Sequence, residues 1–309
     1  MTQQQIIDFA NNYQLDILGL TETQHSPHNQ FHILKNNLNQ NPNDKEFTYY
    51  WTKGSETHNH GVGIMVEKQL NKHVTSIQTF ENHAITLDMV FKRKIKVKII
   101  TIYFLPANRP ANLVLRTRLM EWIKTITKKF NSTDTNRIII LGDFNSVKDP
   151  TIDRSATSKY RSNKMEGPLL KYLTNKNYID TFCTIQNIKL ETDTEDATNT
   201  LQFTWTRNES KSRIDQIWLS PKTADILIDA DIIDTEEEIA TDHHCARAIL
   251  LDTFRKPLPS NIYKQKTQYR YNLNTTQKEN WDKFAKEFLI KQSQQQILHI
   301  LNGNKSNPI

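Results

Sequence analysis

Cysteine is nearly missing from this sequence: Cys183 and Cys245 are its two thiols, far apart and at no zinc-ligand spacing. That excludes a disulfide scaffold and a cysteine-built metal site, and leaves both residues to fill small spaces in a core. Long apolar runs are missing too. No stretch approaches the ~18 residues that a membrane-spanning helix needs. The opening MTQQQIIDFANNYQ has neither the basic start nor the apolar middle of a secretory signal. The expectation is a soluble, intracellular protein. Aromatic residues make up only 9% and hydrophobic residues 37% of the chain, low for a globular protein. At 309 residues this still buries a core for one large domain or two modest ones. No internal repeat is present.

Charge is abundant by comparison. The formal net charge is +6 and the pI about 9.1, which leans weakly towards a polyanionic partner. In FKRKIKVKII, Lys94, Lys96 and Lys98 alternate with Ile95, Val97 and Ile99. The pattern predicts a strand with one apolar and one basic face. We read the basic face first as a solvated edge-protecting surface, ahead of a phosphate-binding stripe or a nuclear-localisation signal.

Hydrophobic periodicity organises the first 251 residues. Ile6, Phe9, Ala10 and Tyr13 share a helical face, followed by a short buried strand over Leu15 to Leu20. Gly61 to Lys68, Asn82 to Phe91 and Lys94 to Phe104 are consecutive strand candidates. Arg116 to Phe130 has helical spacing, and a second helix starts near Pro168 and breaks near Asn177. FTWTR, SRIDQIWLS and TDHHCARAILL supply three more strands or strand mouths. Many strands with interspersed helices and hairpin-like neighbours predict an α/β sandwich rather than a doubly wound parallel sheet. After about Leu251 the pattern fades. Residues 252–309 are polar, with one amphipathic stretch carrying Trp281, Phe284 and Phe288, and a C-terminus that reads as disordered.

One stretch asks for more than structure. RIIILGDFNSV drives a β-branched run, Ile138 to Leu141, straight into Gly-Asp-Phe-Asn. Strand alternation would point Asp143 and Asn145 the same way at the strand mouth. Glu22 ends LGLTET, Asp215 sits in SRIDQIWLS, Asp242 and His243 precede the last strand, and Tyr103 closes ITIYF. Singly, each is an ordinary turn, cap or surface residue. A two-sheet sandwich could gather them at one rim as a carboxylate-rich site for a hard cation.

TET, IYFLPAN, LGDFN, SRIDQIWLS and TDHH fall in the order and approximate spacing of the endonuclease/exonuclease/phosphatase superfamily. The chain resembles its exonuclease III and apurinic-endonuclease branch over roughly residues 2–251. Within it, VKDPTIDRSAT, DTF and FTW make it similar to endonuclease domains of non-LTR retrotransposons, and residues 252–309 resemble the linker towards a reverse transcriptase. The resemblance implies a four-layer α/β/β/α sandwich and hydrolysis of phosphodiesters with Mg²⁺, or Mn²⁺ in its place. It implies that Glu22 binds the metal with help from Asp242, and that Asp143 orients the attacking water. Asn145 and Tyr103 would hydrogen-bond the phosphoryl group, and His243, oriented by Asp215, would contact it. DNA would be the partner, the nucleus the location, and a reverse transcriptase domain a further partner. Arg109, Lys211 and Arg213 flank the site and stand evenly between DNA-backbone contacts and plain solubility.

Two departures accompany the resemblance. Tyr103-Phe104-Leu105-Pro106-Ala107-Asn108 is longer than the family's Tyr-x-Pro-Asn, which leaves Asn108 without a firm equivalent. In the family a central strand also precedes the helix that here starts almost at Met1. The expectation is therefore a domain over residues 1–251 lacking its first N-terminal strand, a fragment or misplaced start, with reduced activity. Two other readings stay open: a small-molecule or lipid phosphatase of the same superfamily, and a catalytically inactive relic.

Overall fold

The computed structural model describes residues 3–23, 31–34, 45–52, 61–106, 110–130, 135–155, 167–191, 202–236, 238–239 and 241–252. All of them fall in the unit Met1–Lys256. Asn108, Arg109 and the amphipathic stretch with Trp281 lie outside the described residues, as does everything else after Asp252.

The chain begins with α1 (Gln3–Asn12), β1 (Ile17–Thr21), β2 (Phe31–Leu34), β3 (Phe47–Trp51), β4 (Val62–Glu67) and α2 (Lys68–Asn71). It continues through β5 (Val74–Phe80), β6 (Ala84–Val90), β7 (Lys96–Tyr103), α3 (Pro110–Phe130), β8 (Asn136–Asp143), α4 (Pro168–Asn175), β9 (Ile179–Asp180) and α5 (Thr181–Glu191). The last elements are β10 (Trp205–Arg207), β11 (Ser210–Ser212), β12 (Asp215–Leu219), α6 (Pro221–Ala224), β13 (Leu227–Ile233) and β14 (Cys245–Leu250).

One sheet has six strands in the order β5-β6-β7-β8-β12-β9. Its β7–β8 pair is parallel, with α3 as the crossover between them, and its other pairs are antiparallel. Strand alternation sorts its residues to two cores. Ile100, Ile102, Ile138 and Ile140 pack against Leu119, Ile123 and Ile126 of α3 and Leu169, Leu170 and Leu173 of α4. Ile99, Ile139 and Leu141 face the other way, towards Val62, Ile64 and Val66 of β4. The second layer holds β1-β4-β3-β2 and, separately, the β13–β14 hairpin. Helix α1 covers its outside through Ile6, Ile7 and Ala10, which pack on Phe47, Tyr49, Trp51 and Met65. The four layers are those of the predicted α/β/β/α sandwich.

Glycine is needed at two points of close approach. Gly142 has φ +129°, and a Cβ there would sit 2.1 Å from the Ile102 carbonyl oxygen. A Cβ on Gly19 would meet Leu141 Cδ1 at 2.7 Å, so this glycine lets β1 lie close over β7 and β8.

The second layer is in two pieces. Among the described residues β1 pairs only with β4 and β14 only with β13, and both flank a cavity of about 790 Å³. Met89, Val97, Ile99, Ile139, Ile217 and Leu219 of the large sheet line its floor. Phe9 of α1 packs on Ile233 and Ile239, so the helix touches both pieces. The sequence reading of Leu15 to Leu20 as a buried strand needs correction here. Ile17 to Thr21 are half-buried, because this strand borders the cavity.

The lysine-striped strand needs correction as well. Lys98 is 4% exposed, with its ammonium against Asp88 and 4.9 Å above the Phe130 ring. β7 is an inner strand: Lys96 at its start is exposed as expected, while Lys98 lies under the end of α3. Lys94 belongs to a turn at Lys92–Lys94, not to the strand.

Candidate active site

Register builds the centre of the site. Tyr103 is the partner of Asp143 across β7–β8, and Asp143 is the partner of Asp215 across β8–β12. The three therefore stand in a row on the face that looks at the second layer, at the ends of three adjacent strands. From that layer, Glu22 follows β1, and Asp242 and His243 precede β14. Glu22, Asp143, Asp215, Asp242 and His243 all border the same cavity.

Asp143 and Asn145 meet as expected, although strand alternation is not the reason. β8 ends at Asp143, and its carboxylate accepts the Asn145 backbone N–H at 2.7 Å, an Asx-type hook, and the Asn145 Nδ2 at 2.9 Å. Asn145 has φ 45° and Glu22 φ 53°, so two expected site residues occupy the left-handed region that disfavours side chains. The Tyr103 hydroxyl hydrogen-bonds both Glu22 and Asn145. Its pKa is raised by burial and then by the neighbouring carboxylates, so it is a standing O–H donor.

Asp143 is 3% exposed. Burial, then the charge of Asp215, push its carboxyl well above the usual range, with Glu22 adding to the push and His243 opposing it. His243 Nδ1 lies 2.7 Å from Asp215 Oδ2. Burial would lower its pKa, but Asp215 and then Asp143 and Asp242 outweigh burial and hold it up at about 9. Asp242 accepts a hydrogen bond from Trp205 Nε1 at 3.1 Å. Four carboxylates thus converge with one imidazolium. That oxygen-rich, positive-charge-poor donor set fits a hard divalent cation, with Glu22 and Asp242, both exposed at the cavity rim, as the residues that would hold it. The tight three-ligand group found among the described residues is a different one, Asp234, Glu236 and His244.

All seven expected residues meet at one rim; one neighbour does something else. Arg213, a candidate for contacting DNA, is 1% exposed. Its guanidinium donates to Asp153 at 2.9 Å and to both Asp180 oxygens at 3.1 and 2.7 Å. Asp153 also accepts the Lys148 and Asp149 backbone N–H groups, so Arg213 ties the loop after Asn145 to the mouth of β12. Burial removes it from any surface, while Lys211 is exposed. Thr204 and Trp205 were legible only as part of a motif; nothing in their spacing announced hydrogen bonds to the chain around Asp215 and Asp242.

The model of the Endonuclease/Exonuclease/phosphatase family matches residues 2–243. The chain belongs to that family. Its fold is shared with the catalytic domain of APE2 from Xenopus laevis, at 15% identity and a TM-score of 0.56, over 79% of this chain and 86% of that one. An AP endonuclease from Archaeoglobus fulgidus gives 14% identity and 0.56, covering 79% and 92%. The 3'-5' exonuclease of Neisseria meningitidis gives 14% and 0.55, covering 80% and 93%. No curated protein matches the chain. At these identities the likeness speaks for the fold. The family chemistry is hydrolysis of phosphoester bonds, and the row Tyr103–Asp143–Asp215 lies at the rim where such a site would be built.

Proposed function

We propose that this chain is a divalent-metal-dependent endonuclease that nicks double-stranded DNA and belongs to a retrotransposon. The observation that carries the reading is the row Tyr103–Asp143–Asp215 with His243 bonded to its end. Asp143, basic and buried, accepts a proton from the attacking water. Tyr103 and the Asn145 side-chain amide, which bond Glu22 and each other without substrate, turn to donate to phosphoryl oxygens when it binds. His243, charged and steered by Asp215, meets the phosphate as a cation. Glu22 and Asp242 would hold Mg²⁺ or Mn²⁺, which supplies Lewis-acid stabilisation of the phosphate and the leaving oxygen. The net charge of +6 favours a polyanion over a small neutral substrate. A DNA target places the work in the nucleus, and residues 252–309 would join the domain to a reverse transcriptase.

The test is conversion of supercoiled plasmid to nicked circles with Mg²⁺ or with chelator, beside Asp143→Ala and His243→Ala. The reading expects metal-dependent nicking that both substitutions abolish. Nicking that survives them would assign the activity elsewhere.

A second reading has its own observation, the cavity between β1 and β14 beside Glu22. Without a further strand in that space, Glu22 and Asp242 stand in an unclosed layer and turnover is poor. Nicking gained by adding a strand ahead of α1 would support an incomplete nuclease; silence in both forms would support a relic.

A further inference from the structure

Asp215 and His243 belong to segments 28 residues apart, and the bond between them needs both segments in register. One residue touches both. Thr204 is fully buried, and its Oγ1 accepts the backbone N–H of Ile214 at 3.0 Å and of Asp215 at 2.9 Å. Its own carbonyl accepts the His244 N–H at 2.6 Å, and its N–H donates to the Ser212 carbonyl at 3.1 Å. The neighbouring Thr206 N–H donates to the Asp242 carbonyl at 3.1 Å. The side chain thus fixes the start of β12 while the main chain fixes the segment of residues 242–244.

We propose that Thr204 is a positioning residue that sets the Asp215–His243 pair in register with Asp143. Two consecutive N–H groups at a strand mouth have no strand partner of their own there, and a single hydroxyl oxygen with two lone pairs satisfies both. No apolar side chain can do so. Without the acceptor, the N–H groups of residues 214 and 215 turn towards other partners or admit water. That displaces the Asp215 carboxylate, which His243 follows or loses. The role rests on the nuclease reading for its consequence in catalysis, but the register itself does not.

The experiment compares the full chain with Thr204→Val, Thr204→Ser and Thr204→Ala. It measures plasmid nicking as separate kcat and KM, thermal midpoint, and the low-field proton resonance of His243 Nδ1–H, which persists only while Asp215 shields it. Wild type and Ser are expected to show the resonance, and Val and Ala to lose it. Val and Ala should lower kcat by roughly tenfold to 100-fold with KM little changed, the size of a small misplacement of reacting groups. Ser should restore kcat. If Val does not fold, Ser and Ala decide, because both lack the methyl group and only Ser keeps the hydroxyl. Equal resonances and equal kcat in Ser and Ala would overturn the proposal. If wild type does not nick at all, the resonance alone decides the role of Thr204, and the added-strand form decides the nuclease reading.

Discussion

The two sheets of this sandwich differ in how they hold their share of the site. The six-stranded sheet is continuous, and its register fixes Tyr103, Asp143 and Asp215 side by side. The second layer is interrupted, and its facing edges carry Glu22 on one side and Asp242 and His243 on the other. Tyr103, Asp143 and Asp215 therefore stand on continuous β structure, while Glu22 and Asp242 stand on edges that no strand pairing among the described residues joins. A bound cation would bridge what the backbone does not.

The comparison can be broken most directly at its rigid side. Asp143→Ala should lower nicking by about 100-fold or more, the usual worth of a positioned base, without lowering the thermal midpoint, since a buried, crowded carboxyl is removed. Arg213→Met should destabilise the protein by about 3–5 kcal/mol, because Asp153 and Asp180 are left buried without their cation; urea unfolding measures it. A loss below about 1 kcal/mol would mean that the loop after Asn145 is anchored by other bonds.

The other predictions sharpen the contrast. In native-state hydrogen exchange, the amides of β7 and β8 should exchange near the global unfolding limit, and those of β1 and β14 well before it. Equal protection would erase the difference between the sheets. Glu22→Gln should raise the Mg²⁺ concentration for half-maximal nicking by at least about tenfold, and leave stability in chelator unchanged. The smallest effect is pH-dependent. His243 has its pKa raised from 6.5 to about 9, so in metal-free protein its pairing with Asp215 contributes fully below pH 6.5 and is lost as pH rises through about 9. The thermal midpoint should decline over that window, and Asp215→Asn should flatten the decline.

Much of the fold was legible because apolar periodicity is a local signal. The run from Ile138 to Leu141, the helix face of Leu119, Ile123 and Ile126, and the face of Ile6, Phe9 and Ala10 all fold as read. β3, β5 and β13 were not read. FTYYW mixes aromatic and hydroxyl groups, VTSIQTF has a weak alternation, and LIDADII carries two aspartates, so none stands out before its partner strand is known. The site residues were legible through a family pattern, and the structure adds their register. Arg213 was misread for a physical reason: an arginine beside acidic motifs looks like a surface contact until Asp153 and Asp180, 60 and 33 positions away, close around it.

Helix α1 leans on both pieces of the interrupted layer, Ile6 and Ala10 on one and Phe9 on the other. It works as a splint across a fracture. A protease that clips the chain between Asn12 and Ile17 would not have to unravel any sheet to act. It would free the splint, let the two edges drift, and leave the row on the large sheet standing beside a site that no longer closes.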